Sequence, residues 1–135
     1  MLSSDIALRR AILARLLGDS ALVLRLGGAR VHDEAPRGAP HPFVVFSQSR
    51  SRDWSTMTER GHEHALSLDV WSARTGAREA LEIAALVAAA LDDQVFALEG
   101  HVLVNLQVRD LETARENENR FVRARIRLRA ITEKI

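Results

Sequence analysis

Cysteine and tyrosine are absent from these 135 residues, and lysine occurs once, at Lys134. Without cysteine there is no disulfide, no thiolate nucleophile and no Cys-ligated zinc or iron–sulfur centre. Aromatic residues make up only 4%, and no helix-turn-helix, RNA-recognition or zinc-finger pattern is present, which argues against nucleic-acid binding as the primary task. No apolar run approaches the roughly 18 residues that a membrane span requires. Asp5 precedes Arg9 and Arg10, so the start lacks the basic, apolar, small-residue order of a signal peptide. The expectation is a cytoplasmic, soluble chain with no membrane partner. What is present is ordinary for a globular protein: 47% hydrophobic and 27% charged residues, enough for one domain spanning 1–135. Nineteen basic residues against eighteen acidic leave a net charge of +1. The global field therefore attracts neither nucleic acid nor acidic membrane, and any electrostatic function must be local.

The order of elements follows from hydrophobic periodicity. Residues Ser4–Leu17 read as a helix with Ile6, Ala7, Ala11, Ile12, Ala14 and Leu17 on its apolar side, capped by Ser3 or Ser4 and closed by a left-handed Gly18. A short helical piece over 21–26 follows, with Asp19 or Ser20 as cap and Gly27 and Gly28 as stop. Pro36, Pro40 and Pro42 make 33–42 an extended loop after a short strand at 30–32. Strands are expected at 43–49 and 63–72, joined by a polar connection over 50–62 that holds Trp54 and Met57. Such a loop is a candidate contact surface. Residues 75–91 form the clearest helix, with Ala80, Leu81, Ala84, Val87, Ala88 and Leu91 in one stripe. The stretch 101–131 reads as two alternating strands around a charged turn at 112–119. Their apolar positions are all even-numbered, which suggests Val108 opposite Ala124, Leu106 opposite Ile126 and Val104 opposite Leu128. The sum is an α+β domain: an antiparallel sheet of about four to five strands with two helices on one face.

Chemistry-bearing signatures are scarce. There is no phosphate loop, no Gly-x-Gly-x-x-Gly, no nucleophile elbow and no His-Glu-x-x-His. Asp33-Glu34 and Asp92-Asp93 read as solvated charges rather than an acid–base pair. His62 and His64 are two apart at a strand start and could share a metal, but a zinc site needs three or four ligands and only two are visible. No catalytic, cofactor or metal site is therefore assigned. The pointed feature is Arg123, Arg125, Arg127 and Arg129, at every odd position of the last strand, a row of guanidinium groups roughly 20 Å long. Two readings compete. In one, cross-strand partners such as Asn105, Gln107, Asp110 and Asp69 neutralise an exposed face. In the other, the row is an interface to a neighbouring subunit or to passing nucleic acid, where Arg binds carboxylate or phosphate bidentately.

Taken as a set, several segments carry a resemblance. Pro42-Phe43-Val44-Val45, Asp53-Trp54-Ser55-Thr56, Gly61-His62-Glu63-His64 and Leu68-Asp69-Val70-Trp71-Ser72, then a helix with Gly76, Glu79-Ala80, Ala84 and Leu91 and the Arg-rich closing strand, resemble the small tail-completion or tail-terminator proteins of phages, prophages and gene transfer agents. The resemblance implies a non-enzymatic structural protein without cofactors. It implies a ring, usually of six copies, that caps the head-proximal end of a tail tube and joins it to the head connector, with DNA passing through the bore. Its places would be the bacterial cytoplasm during assembly and then the head–tail junction. Trp54, Met57, Arg123, Arg125, Arg127 and Arg129 are the candidate interface residues. A head–tail joining protein of similar fold, or a nucleic-acid-binding accessory using the arginine face, are the alternatives.

Overall fold

A computed structural model describes residues 3–135. The first helix, α1 (Ser4–Leu17), starts where the Ser3 hydroxyl accepts from the Ile6 N–H, with Asp5 in the first turn. Its buried stripe is Ala7, Leu8, Ile12 and Leu16, an i, i+4 spacing. Ile6 and Leu17 lie outside that stripe, 47% and 37% exposed. Gly18 is not left-handed: its φ of −83° and ψ of −5° are right-handed, because α2 (Ser20–Leu26) begins almost at once under the Asp19 cap. Glycine serves there for space, since a Cβ would meet the Ala14 carbonyl at 3.2 Å. The left-handed stop falls one helix later, at Gly27, with φ 83°.

Five strands form one sheet in the order β1-β2-β3-β5-β4. They are β1 (Val31–His32), β2 (Phe43–Asp53), β3 (Gly61–Ser72), β4 (His101–Glu116) and β5 (Phe121–Lys134). The sheet is mixed rather than wholly antiparallel, because β1 lies parallel to β2. The proline-bearing segment 33–42 carries the chain back before β2 begins, so β2 runs in the same direction as β1. β2 is also longer than its apolar part suggests. Arg50, Ser51, Arg52 and Asp53 pair with Ala65, His64, Glu63 and His62, which shortens the β2–β3 connection to 54–60. Helix α3 (Arg78–Leu91) buries Ala80, Ile83, Ala84, Val87, Ala90 and Leu91. Ile83 and Ala90 thus take inward places that the sequence stripe had assigned to Leu81 and Ala88. The class is α+β, with α2 a genuine third helix. All three helices share one core with Phe46, Leu68, Val70, Val122, Ala124, Ile126, Leu128 and Ala130, so they cover one face of the sheet. Each fully buried Leu or Ile there contributes about 1.5–3 kcal/mol of transfer free energy.

The β4–β5 hairpin departs from the expected register. Its turn occupies 117–120, with Asn117, Glu118 and Asn119 all at positive φ of 51–68°, a conformation asparagine tolerates. The strands therefore run further than the charge pattern suggests, and Val108 faces Leu128 and Leu106 faces Ala130. Bulges between Leu103 and Asn105 and between Val108 and Asp110 each insert one residue into β4 and reverse which face its side chains meet. Leu103 is buried as a result, while Val102 and Val104 are 48% and 42% exposed. β5 pairs with β3 without a break, so its own alternation survives intact.

Candidate functional site

The face of the sheet opposite the helices is where the sequence-predicted interface residues gather. Even-numbered residues of β5 enter the core, so Arg123, Arg125, Arg127 and Arg129 stand on the other side. Directly opposed residues in an antiparallel pair share a face. The same side therefore carries Asp69 opposite Arg125 on β3, and Glu112 opposite Arg125 and Asp110 opposite Arg127 on β4.

Every arginine of the row is paired. Arg125 holds Asp69 with two hydrogen bonds, Nε to Oδ1 at 2.8 Å and Nη2 to Oδ2 at 2.9 Å, and the Asp69 side chain is only 4% exposed. Arg127 reaches Asp110 at 2.9 Å and Glu112 at 3.5 Å. Arg123 lies 3.3 Å from Glu116 and 3.7 Å from Glu112, and Arg129 donates to Glu63 at 2.6 Å. Glu63 also accepts from Arg52, and the two guanidinium groups hold its carboxyl below the ordinary carboxylate range. The row is thus an ion-pair lattice that spans β3, β5 and β4. Asp69 and Asp110 are partners the sequence suggested. Gln107 lies opposite Arg129 as suggested, whereas Asn105 faces Ile131 and not the row. Glu63, Glu112 and Glu116 were not anticipated, because the last two sit where a turn was expected; their even spacing beyond Asp110 was the available signal.

Trp54 joins this face. The guanidinium carbons of Arg52 and Arg129 both lie 5.4 Å from its ring centroid, so the loop tryptophan and one end of the arginine row form a single corner. The loop itself is braced. Asp53 accepts from the Ser55 N–H and hydroxyl, the Thr56 N–H donates to the Glu59 carbonyl, and the Glu59 N–H donates to the Thr56 hydroxyl. Met57 rides on that turn with its side chain fully in solvent. It is not in the Trp54 corner but borders a recess of about 700 Å³ that also touches His62, His101 and Lys134.

His62 and His64 do share a face, with ring centroids 6.2 Å apart. His64 is buried, its Nε2 is 2.9 Å from the Thr132 hydroxyl and its Nδ1 is 3.5 Å from the Asp5 carboxylate. It packs as a structural histidine linking β3, β5 and α1. Among the described residues, no three His, Asp or Glu side chains converge as metal ligands. Asp92 is likewise structural, accepting from the Val108 N–H at 2.8 Å.

The fold places the chain among known structures. It is similar to a chain from the virion of a native gene transfer agent particle, with a TM-score of 0.89 and 27% identity, covering 98% of this chain and 99% of the other. No curated protein matches it. Residues 10–133 match the family described as tail completion protein gp17, a span that takes in the second half of α1, the sheet as far as Glu133 and the ion-pair lattice. With nearly the full domain matched, the chain belongs to the tail completion protein family.

Proposed function

We propose that this protein is a tail terminator, a subunit of a ring, six copies in number, that closes the head-proximal end of a tail tube and joins it to the head connector. The observation that carries the reading is the end-to-end correspondence with a chain of a gene transfer agent virion, together with membership of the tail completion family. It acts as a structural part and not as a catalyst. Its partners are its own copies, the tail tube protein and the connector, and it moves from the bacterial cytoplasm into the particle.

The exposed chemistry suits such a role. Met57 on a braced turn and Trp54 at a charged corner offer anchors for protein contact. The lattice face is a candidate for the wall of the bore. Six arginines on that face, the four of β5 with Arg50 and Arg52, stand beside five acids, Glu63, Asp69, Asp110, Glu112 and Glu116. A wall so balanced lets DNA pass without holding it. The same balance weighs against a nucleic-acid-binding accessory, since guanidinium groups already committed to carboxylates are not free for phosphate.

The test is removal of the gene from a producing strain, followed by cryo-electron microscopy. The expected result is tubes of uncontrolled length detached from heads, restored by the wild-type chain, whose density forms a ring at the tube end. Tubes of normal length that fail only to attach would point to a joining protein instead. Intact, head-bearing particles without this chain would overturn the proposal.

A further inference from the structure

We infer that the two open edges of the sheet fit one another in successive copies of this chain, β4 of one copy pairing antiparallel with β2 of the next; the inference rests on the ring assembly proposed above. On the helix-free face the strands alternate in sign. β2 presents Arg50 and Arg52, β3 presents Glu63 and Asp69, β5 the four arginines, and β4 Asp110, Glu112 and Glu116. Inside the molecule each change of sign is bridged by ion pairs. At the two edges the pattern stops with opposite signs: acids on β4, and on β2 an exposed Arg50 with no ion-pair partner among the described residues.

Among the described residues, both edges are bare where this matters. β1 covers β2 only at Val44 and Val45. On β4 the turn after α3 occupies Leu106 and Val108, through the Asp93 N–H to the Leu106 carbonyl at 2.9 Å and the Val108 N–H to Asp92 at 2.8 Å. Beyond the second bulge, 109–116 has no such cover among the described residues, and Leu111 is 46% exposed. Direction also agrees. The β2–β3, β3–β5 and β5–β4 pairs are all antiparallel, so β4 runs opposite to β2 and their apposition continues an antiparallel sheet. Two different patches meeting head to tail is the contact that closes rings.

Matching the faces sets the phase. Glu112 opposite Arg50 and Asp110 opposite Arg52 extend the lattice on one side, while Thr113 opposite Ser49 and Leu111 opposite Ser51 cover the exposed leucine on the other. Charge on an open edge also serves to repel stray strands. That purpose alone needs no opposition of sign between the two edges on one face.

The absence of cysteine makes the test clean. Ser49→Cys/Thr113→Cys, both at exposed positions, is introduced into particles assembled in producing cells. Within one copy the edges are three strand spacings apart, about 14 Å, beyond the roughly 7 Å that a disulfide tolerates. Oxidation, or a short bis-maleimide, is expected to yield a ladder of linked multimers from the double variant and none from either single variant. Glu112→Arg is expected to lose incorporation into particles, and Arg50→Glu/Glu112→Arg to regain it. A ring at the tube end that gives no ladder and ignores the charge swap would overturn edge pairing and leave the terminator reading standing. Absence of the chain from particles made by the unmodified gene would remove both.

Discussion

Asp69 shows at single-residue scale how the lattice is held. Its carboxylate is enclosed and its only ion-pair partner among the described residues is Arg125, so deleting the arginine strands a buried charge. Arg125→Ala is expected to cost about 3–5 kcal/mol in urea denaturation, whereas Arg127→Ala, at a pair whose side chains are 37% and 56% exposed, costs about 1 kcal/mol or less. Equal losses at the two positions would mean that burial does not set the strength of these pairs. His64 offers a second residue-scale prediction. Burial pushes its imidazole below the ordinary histidine range, with Asp5 pulling the other way and His62 and His101 adding to the depression. The native state therefore keeps His64 neutral where the unfolded chain has begun to take up a proton. Its contribution is complete above about pH 6.5 and is lost as pH falls through the lower native value. Melting temperature is expected to drop as pH falls below about 6.5, and His64→Gln to flatten that slope; an unchanged slope would place the titration elsewhere.

Among the elements, α3 was readable almost whole and its inward face was not. Ala80, Ala84, Val87 and Leu91 follow from periodicity, but Ile83 and Ala90 replace Leu81 and Ala88 because α3 packs against α1 and α2 as well as β3 and β5, and those neighbours together select the stripe. Ile83 is completely buried, so Ile83→Ala is expected to cost about 2–5 kcal/mol, while Leu81→Ala, on the 40% exposed side, costs well under half as much. Calorimetry of the two variants checks the assignment, and a reversed order would refute it. The hairpin teaches the opposite lesson. The even-numbered apolar set of β5 held because that strand pairs without a break, whereas in β4 two bulges reversed the faces, and no residue pattern announces a bulge. The loop expected over 50–62 shortened for a related reason: Arg50, Ser51 and Arg52 lack the apolar alternation of a buried strand, yet an edge strand needs only its backbone partner.

At the scale of the whole molecule, a net charge of +1 and a lattice of matched ions describe a surface rich in charge and poor in field. Double-stranded DNA is expected to bind more weakly than about 10⁻⁴ M at physiological salt, the weak end of non-specific affinity. Fluorescence anisotropy on a short duplex checks this, and a tighter, salt-sensitive affinity would show the arginines to be available after all. Among the described residues Met57, Leu24 and Ile135 are the most exposed large apolar side chains, and they lie on the β2–β3 loop, on α2 and after β5. Assembly through this surface would then depend on edges and charge geometry more than on one large apolar patch.

By itself the sequence determined the α+β class, the order of helices and strands, the inward set of β5 and the arginine row, because each of these is local: a period, a cap or a breaker acting over a few residues. The family resemblance was legible for the same reason, carried by short segments in a set order. Only the tertiary structure decided what the arginines are for within the chain. Their partners Glu63 and Asp69 lie more than fifty residues away, and the bulges of β4 choose which of its acids come level with them. Charge of one sign in a row is written along the chain; the neutralisation of that row depends on strand neighbours, and neighbours are set by packing.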